Sequence, residues 1–439
     1  MHRLDYSLDL FKEFLDSSPT SWHAVESIVA LLKKYQFKEL SSKERWSIEP
    51  GKGYFVVHHD SSIAIFITPT CAMKRVRLFA SHTDSPALKL KPSPEIYNDP
   101  MISMGVETYG SPLLSSWLNR DLKLAGKVIY KNFDHKICQQ LLQLDNHPMI
   151  IPQLAIHLDR EINEKGLQLN KQNHLNSLAS LQKVFSSHAT YLKTLIKEKV
   201  TDFSQLIDFE LFLVPMEKAS FIGYKKELLA SYRIDSLASV HAILCALLKQ
   251  KEPLQNDLKM ALFWDHEEIG SNTPQGAASP FFEETFKRIA NGLKMEEEER
   301  SCVFPRSTCI SVDLAHALHP NYLEKHDLQH RPLLGEGVVI KYSASQRYAT
   351  NLCSALPIYE AAQKAQVPIQ KFVSRNDIPS GSTIGPIHAS ATGMQTVDIG
   401  CAQLSMHSCR EILACQDQQW LFALLCQLMK IEPWPEISP

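Results

Sequence analysis

The chain has 439 residues, 44% hydrophobic and 21% charged, the balance of a folded protein with one large core or two ordinary ones and not of a disordered chain. A formal net charge of -2 and a pI near 6.8 leave no surplus of Lys and Arg to release counterions from a phosphate backbone, so no nucleic-acid partner is expected. The 10 Cys are scattered without a C-x-x-C pair, and Cys245 and Cys426 sit inside apolar helical patterns, which fits a reducing cytoplasm.

Acidic residues interrupt the apolar positions of the N-terminus, so no secretory signal is expected, and no stretch approaches the roughly 20 apolar residues of a membrane helix. Leu10, Phe11, Phe14 and Leu15 recur at helical spacing, Ser18 to Thr20 break that helix, and a second one is expected through Ala24 to Tyr35. YFVVHHDSSIAIFIT and VRLFASHTDS then read as strands, the latter ending in His-Thr-Asp where α/β sheets commonly carry functional groups.

From about Pro94 to Ser231 the texture changes to strand-like runs (LAGKVIY, FELFLVP), a polar connector around Asn163 to Asn176 and one helical stretch through Leu192. This predicts an inserted second domain over 94–230, with 1–93 and 231–439 folding together around it. After Arg233 helix and strand alternate again: ASVHAILCALLKQ as helix, KMALFWD and CISVDLA as strands, and QRYATNLCSALPIYEAAQKA as a strand end plus helix.

Candidate chemistry clusters at the ends of these strands. His82 and Asp84, two apart on extended chain, point to one side, which places a carboxylate to orient a metal-binding imidazole; an H-x-D alone is also an ordinary loop feature. In FWDHEEIGS an apolar strand runs into Asp265 to Glu268, and adjacent carboxylates can divide hydrolysis between them. Glu268 is read as a metal ligand and Glu267 as the general base. Asp235, just ahead of a helix in RIDSLASVHA, reads on its own as an N-cap carboxylate, with a bridging ligand as the alternative. Asp313 closes CISVD, and His407 precedes a predicted helix containing Arg410 and Glu411. Together His82, Asp235, Glu268, Asp313 and His407 make a ligand set for two divalent ions sharing Asp235.

The words SHTDSPALKLKP, RIDSLAS, EEIGS, SVDLAHALHPNY, QRYATN, RNDIPSGSTIGP and MHSCRE occur in the order in which the aspartyl aminopeptidase (M18) family carries them, and FLDSSPTSWHAV extends the likeness almost to Met1. The chain thus resembles that family of co-catalytic zinc aminopeptidases. The resemblance implies an α/β, phosphorylase/hydrolase-like catalytic domain with a central mixed sheet flanked by helices, plus a β-rich inserted dimerisation domain. It implies the same five ligands, Glu267 as base and Asp84 as the orienting carboxylate. It further implies two divalent ions per subunit, zinc first with manganese or cobalt as alternatives, and dimers that build a larger homo-oligomer, a dodecamer. His157, in IPQLAIHLDREINEKG, would reach into a neighbouring subunit's site; Lys341, near Tyr348, would meet an acidic substrate side chain.

Two departures flank the site: His266 stands where the family has Asn and is placed to perturb Glu267, and Ser236 follows the bridging Asp. The expected activity is removal of N-terminal Asp or Glu from peptides, with amide deacylation on the same site, or a non-catalytic scaffold, as rivals.

Overall fold

The computed structural model describes residues 6–185, 190–432 and 434–435. At its centre is a mixed nine-stranded sheet. Its strands lie side by side in the order Lys38–Glu39, Gly53–His58, Ser62–Ile67, Asp257–Trp264, Arg75–His82, Thr308–Val312, Gln395–Gly400, Val338–Lys341 and Ile369–Phe372.

Alternation along these strands explains why both faces are buried. Ile63, Ile65 and Ile67, with Ala261 and Phe263, point into a core shared with the N-terminal helices Leu8–Ser17 and Ser21–Lys34 and with Ile234–Lys249 and Cys415–Lys430. Ala64 and Phe66, with Met260, Leu262 and Trp264, point to the opposite face, against Phe281–Gly292. In Ser21–Lys34 the residues Trp22, Val25, Ile28 and Leu32 recur at helical spacing and are buried. Ile234–Lys249 is apolar all round and buried nearly throughout, as a helix wedged between sheet and outer helix must be. No helix among the described residues is long and apolar enough to cross a membrane.

A separate six-stranded antiparallel sheet has the order Ile137–Met149, Leu122–Asn132, Phe203–Pro215, Ala87–Asn98, Met101–Tyr109 and Ser177–Leu181. It encloses its own core around Leu88, Val106, Trp117, Leu124 and Leu211, sealed by the helix Tyr191–Lys199. Its first strand starts at Ala87, ahead of the expected break near Pro94, because the chain runs from His82 into this sheet after only a short turn. At the other end it stops at Pro215, ahead of residue 230. The residues between belong with a third, five-stranded sheet: Ser220–Ile222, Leu228–Ser231, Glu411–Ala414, Ala402–Leu404 and Ala315–His316.

This small sheet decides where the site forms. It sets the strand before Asp235 beside the strand after His407, and the strand after Asp313 beside Ala402–Leu404. Two local expectations are corrected. Residues 346–351 are irregular backbone and not a strand end; both edges of Gln395–Gly400 are already taken by Thr308–Val312 and Val338–Lys341. Glu411 opens a strand and not a helix; the helix begins at Cys415, once pairing with Leu228–Ser231 has satisfied the backbone.

Candidate active site

Arg75–His82 pairs in parallel with Asp257–Trp264, with Trp264 opposite His82, so the two strands end level. Thr308–Val312 runs parallel on the other side and delivers Asp313 to the same edge. Carboxyl ends of parallel strands are where open α/β sheets place their chemistry.

Asp84 organises one half of the site. Its Oδ1 accepts the backbone N–H of Glu267 at 3.2 Å, and its Oδ2 accepts those of Glu268 at 3.1 Å and the Tyr109 hydroxyl at 2.7 Å. Burial, then the Asp84 charge, hold Tyr109 well above the usual phenol range, so it stays a donor. The Asp84 carbonyl lies 3.1 Å from His82 Nδ1; since a carbonyl can only accept, Nδ1 carries hydrogen and Nε2 faces the cluster. His407 is fixed in the same way, its Nδ1 donating to Ser111 O at 3.1 Å. Glu411 anchors the other half, its Oε2 accepting from Asp235 N at 2.9 Å and its Oε1 from His407 N at 2.7 Å.

These contacts converge on Asp235. Its Oδ1 is 3.4 Å from His82 Nε2, and its Oδ2 is 3.6 Å from His407 Nε2. On the first side Asp313 Oδ1 stands 3.5 Å from His82 Nε2; on the second Glu268 Oε2 stands 3.4 Å from His407 Nε2. Asp235 is not an N-cap: it and Ser236 have non-helical backbone, so regular helix starts only after Ser236, and the Asp235 side chain turns to the imidazoles. Several residues here hold left-handed backbone, Arg233 (φ 65°), Ser405 (φ 57°) and His407 (φ 66°) among them, at roughly 1–3 kcal/mol each.

The electrostatics are those of negative charge crowded out of water. Burial first, then Asp313, Asp84 and Asp235, push Glu267 up to about 8 against the pull of His82. Burial also pushes Glu268 well up. Burial lowers the two imidazoles, but the carboxylates outweigh it: His82 lies well above its usual value and His407 at about 10. Asp235 Oδ1 and Glu268 Oε1 are buried without a hydrogen-bond partner among the described residues. Leaving such an oxygen unsatisfied costs about 1–3 kcal/mol or more. Two Nε2 atoms and several carboxylate oxygens aimed at one space, two of them orphaned, fit divalent cations of the zinc type. Ligand atoms of His82, Asp235 and Glu268 lie within 4.8 Å of one another.

The cavity above the cluster, about 230 Å³, is also lined by Lys341, Tyr348, Ser382, Thr383 and Met406. Lys341 is no edge residue. Its strand lies between two others, it is 1% exposed, and its Nζ donates to Asp313 Oδ2 at 3.2 Å and Leu314 O at 3.0 Å. The ammonium also lies over the Tyr348 ring, 5.1 Å from its centre. The His266 ring turns to Thr273 Oγ1 (2.8 Å) and lines a different cavity, which Asp84 also lines. His157 lies in an exposed turn, not in a strand, and within one chain does not join the cluster. Tyr109 carries no local signal of its role; Glu411 stood inside the MHSCRE word as its only acidic residue.

The pattern of the family described as "Aminopeptidase I zinc metalloprotease (M18)" matches residues 14–427. The chain belongs to the M18 aminopeptidase family. Among similar M18 proteins, a probable M18 family aminopeptidase 2 of Clostridium novyi is 38% identical over 413 residues, covering 93% of this chain and 95% of the relative. A probable aspartyl aminopeptidase of Ricinus communis is 35% identical over 451 residues, with 93% and 92% covered. The solved S. cerevisiae mApe1 dodecamer superimposes with a TM-score of 0.83 at 26% identity, with 96% of each chain covered. This M18 aminopeptidase is therefore a metallo-exopeptidase with a metal cofactor, built as a mixed α/β sheet domain beside a separate antiparallel one.

Proposed function

We propose that this M18 aminopeptidase uses two divalent ions, zinc before manganese or cobalt, to remove Asp or Glu from the N-terminus of peptides. The observation that carries the two-ion reading is Asp235, whose two oxygens face different imidazoles, each accompanied by one further carboxylate. His82 and Asp313 would hold one ion, His407 and Glu268 the other, with Asp235 shared.

Bound ions supply Lewis acidity, which lowers the pKa of water and polarises a carbonyl. Glu267 accepts the proton of the attacking water and returns it to the departing amine, so no proton is lost over the cycle. Asp84 keeps the turn carrying Glu267 and Glu268 in place through its two backbone hydrogen bonds.

Ion uptake should be coupled to proton release. In the metal-free chain His82 and His407 are held protonated by their carboxylate neighbours, and a ligand imidazole must be neutral. Affinity is therefore expected to rise with pH until His407 loses its proton at about 10, with protons released on binding below that. Calorimetry in buffers of different ionisation enthalpy measures this; uptake without proton release would contradict it.

The acidic preference rests on Lys341 and on the relative named for aspartyl substrates. An ammonium has three N–H donors, and Asp313 and Leu314 O use two, which leaves one for a substrate carboxylate. Lys341→Met should lower the ratio of kcat/KM for Asp over Leu anilides roughly ten- to hundredfold. Because Nζ also touches Asp313, metal content is measured alongside. An equal loss on both substrates at unchanged metal content counts against the assignment. The same anilides set against N-acylated amino acids test the reaction class: hydrolysis of only the latter would make this a deacylase.

Assembly is proposed through the antiparallel domain as dimers within a dodecamer, the assembly in which the yeast mApe1 relative was solved. Exposed Leu154, Ile156 and Leu158 around His157 support an interface at that turn. If His157 serves a neighbouring site, inactive His157→Ala and Glu267→Gln chains should regain activity when co-assembled, since some sites then receive both residues intact. Mixed assemblies that stay inactive would argue against it. A cytoplasmic location is supported by ten free cysteines.

A further inference from the structure

Asp398 sits on the central strand Gln395–Gly400, is 0% exposed and has no part in the proposed chemistry. Its carboxylate divides between two segments far apart in sequence. Oδ2 accepts the backbone N–H of Ala349 at 2.6 Å, and Oδ1 accepts the Thr383 hydroxyl at 2.6 Å. Its own N–H donates to Thr350 Oγ1 at 3.0 Å, which ties the first segment a second time. Both segments are irregular backbone, and both reach the substrate cavity: Tyr348 from one, Gly381, Ser382 and Thr383 from the other.

The close fit extends to the helix Ile384–Thr392, which starts against this carboxylate. A Cβ at Gly385 would collide with the Asp398 oxygens, so the chain gives up a side chain there to let the helix approach. Thr383 precedes that helix but does not cap it, since its hydroxyl is spent on Asp398. A buried carboxylate at a helix N-terminus is also favoured by the helix dipole.

We infer that Asp398 is a positioning residue, whose carboxylate holds residues 348–350 and 381–383 at a fixed separation and so sets the wall against which the substrate's first residue rests. This rests on the aminopeptidase reading above. It places substrate fit under the control of a group that contacts neither substrate nor ions, through Tyr348 on one loop and Ser382 on the other.

The test compares Asp398→Ala, Asp398→Asn and Thr383→Val with the wild type for KM and kcat on aminoacyl anilides, metal content, and hydrogen exchange at the Ala349 amide. Asp398→Ala should raise KM roughly tenfold, with metal content unchanged and Ala349 protection lost, the loss of charge-assisted hydrogen bonds. Asn can accept from Ala349 through its oxygen and donate to the Thr383 hydroxyl through its NH2, so Asp398→Asn should recover most of the wild-type KM. Thr383→Val breaks one bond and should give an intermediate KM, a readout that remains if the Ala variant does not fold. Unaltered KM in both Asp398→Ala and Thr383→Val, or an Asn variant as damaged as the Ala variant, overturns the inference. A wild type that turns over no aminoacyl substrate refutes the aminopeptidase reading instead; Ala349 protection that survives Asp398→Ala then refutes the clamp independently.

Discussion

Replacing Glu267 with Gln is expected to cut kcat by about 10²- to 10⁴-fold while bound metal stays near the wild-type level. The side chain keeps its shape and its backbone keeps the hydrogen bond to Asp84, so the site's architecture survives. What disappears is the only atom set that can take a proton from water at that position. Stability gives a second readout. Glu267 moves from its ordinary 4.5 to about 8 on folding, so the metal-free protein binds more protons than the unfolded chain between those values. Its contribution to stability is therefore lost as pH rises through that window, and a neutral amide escapes the loss. Metal-free Glu267→Gln should accordingly be no less stable than wild type near neutral pH. Near-normal turnover in this variant, measured with metal content confirmed, would move the base elsewhere.

Asp235→Ala is expected to be worse, and by a different route. Its two oxygens serve both halves of the cluster, so removing them strips a ligand from each proposed ion and leaves two cations facing each other with less negative charge between them. Metal analysis should find fewer than two ions per chain, with activity lost in step. Two ions retained per chain would show that Asp235 does not bridge. Glu268→Ala is the useful contrast, because Glu268 pairs closely with His407 alone, whereas Asp235 pairs with both imidazoles.

Strand ends carried most of what could be read in advance. His82, Glu267, Glu268 and Asp313 each end or follow an apolar run buried on both faces, so their arrival at one edge of a sheet follows from strand formation and parallel pairing. Asp235 looked locally like a cap because the residues that redirect it, His82 and His407, are far away in sequence. Tyr109 was out of reach for the same reason, since it acts through a hydrogen bond to a residue that only tertiary structure brings near. Glu411 stood in the MHSCRE word, and only its bond to Asp235 was hidden. The start of the antiparallel domain was misjudged because its first strand, Ala87–Asn98, continues the texture of the strand before it, with the change of sheet hidden in a short turn. The direction of the His266 ring could not be read from its neighbours, because adjacency in sequence says nothing about direction at a left-handed residue (φ 64°).

His82 precedes the antiparallel domain, Asp235 follows it, and His407 comes much later in the chain than either. A chain emerging from the ribosome therefore carries one imidazole of the cluster long before the carboxylate that faces it, and completes the set only once His407 has followed. Until then the loops to be closed are long and no preformed pair of imidazoles exists to capture an ion. No shortened chain ending before residue 407 contains the whole cluster, so a peptidase of this design stays catalytically silent at least until His407 has been made.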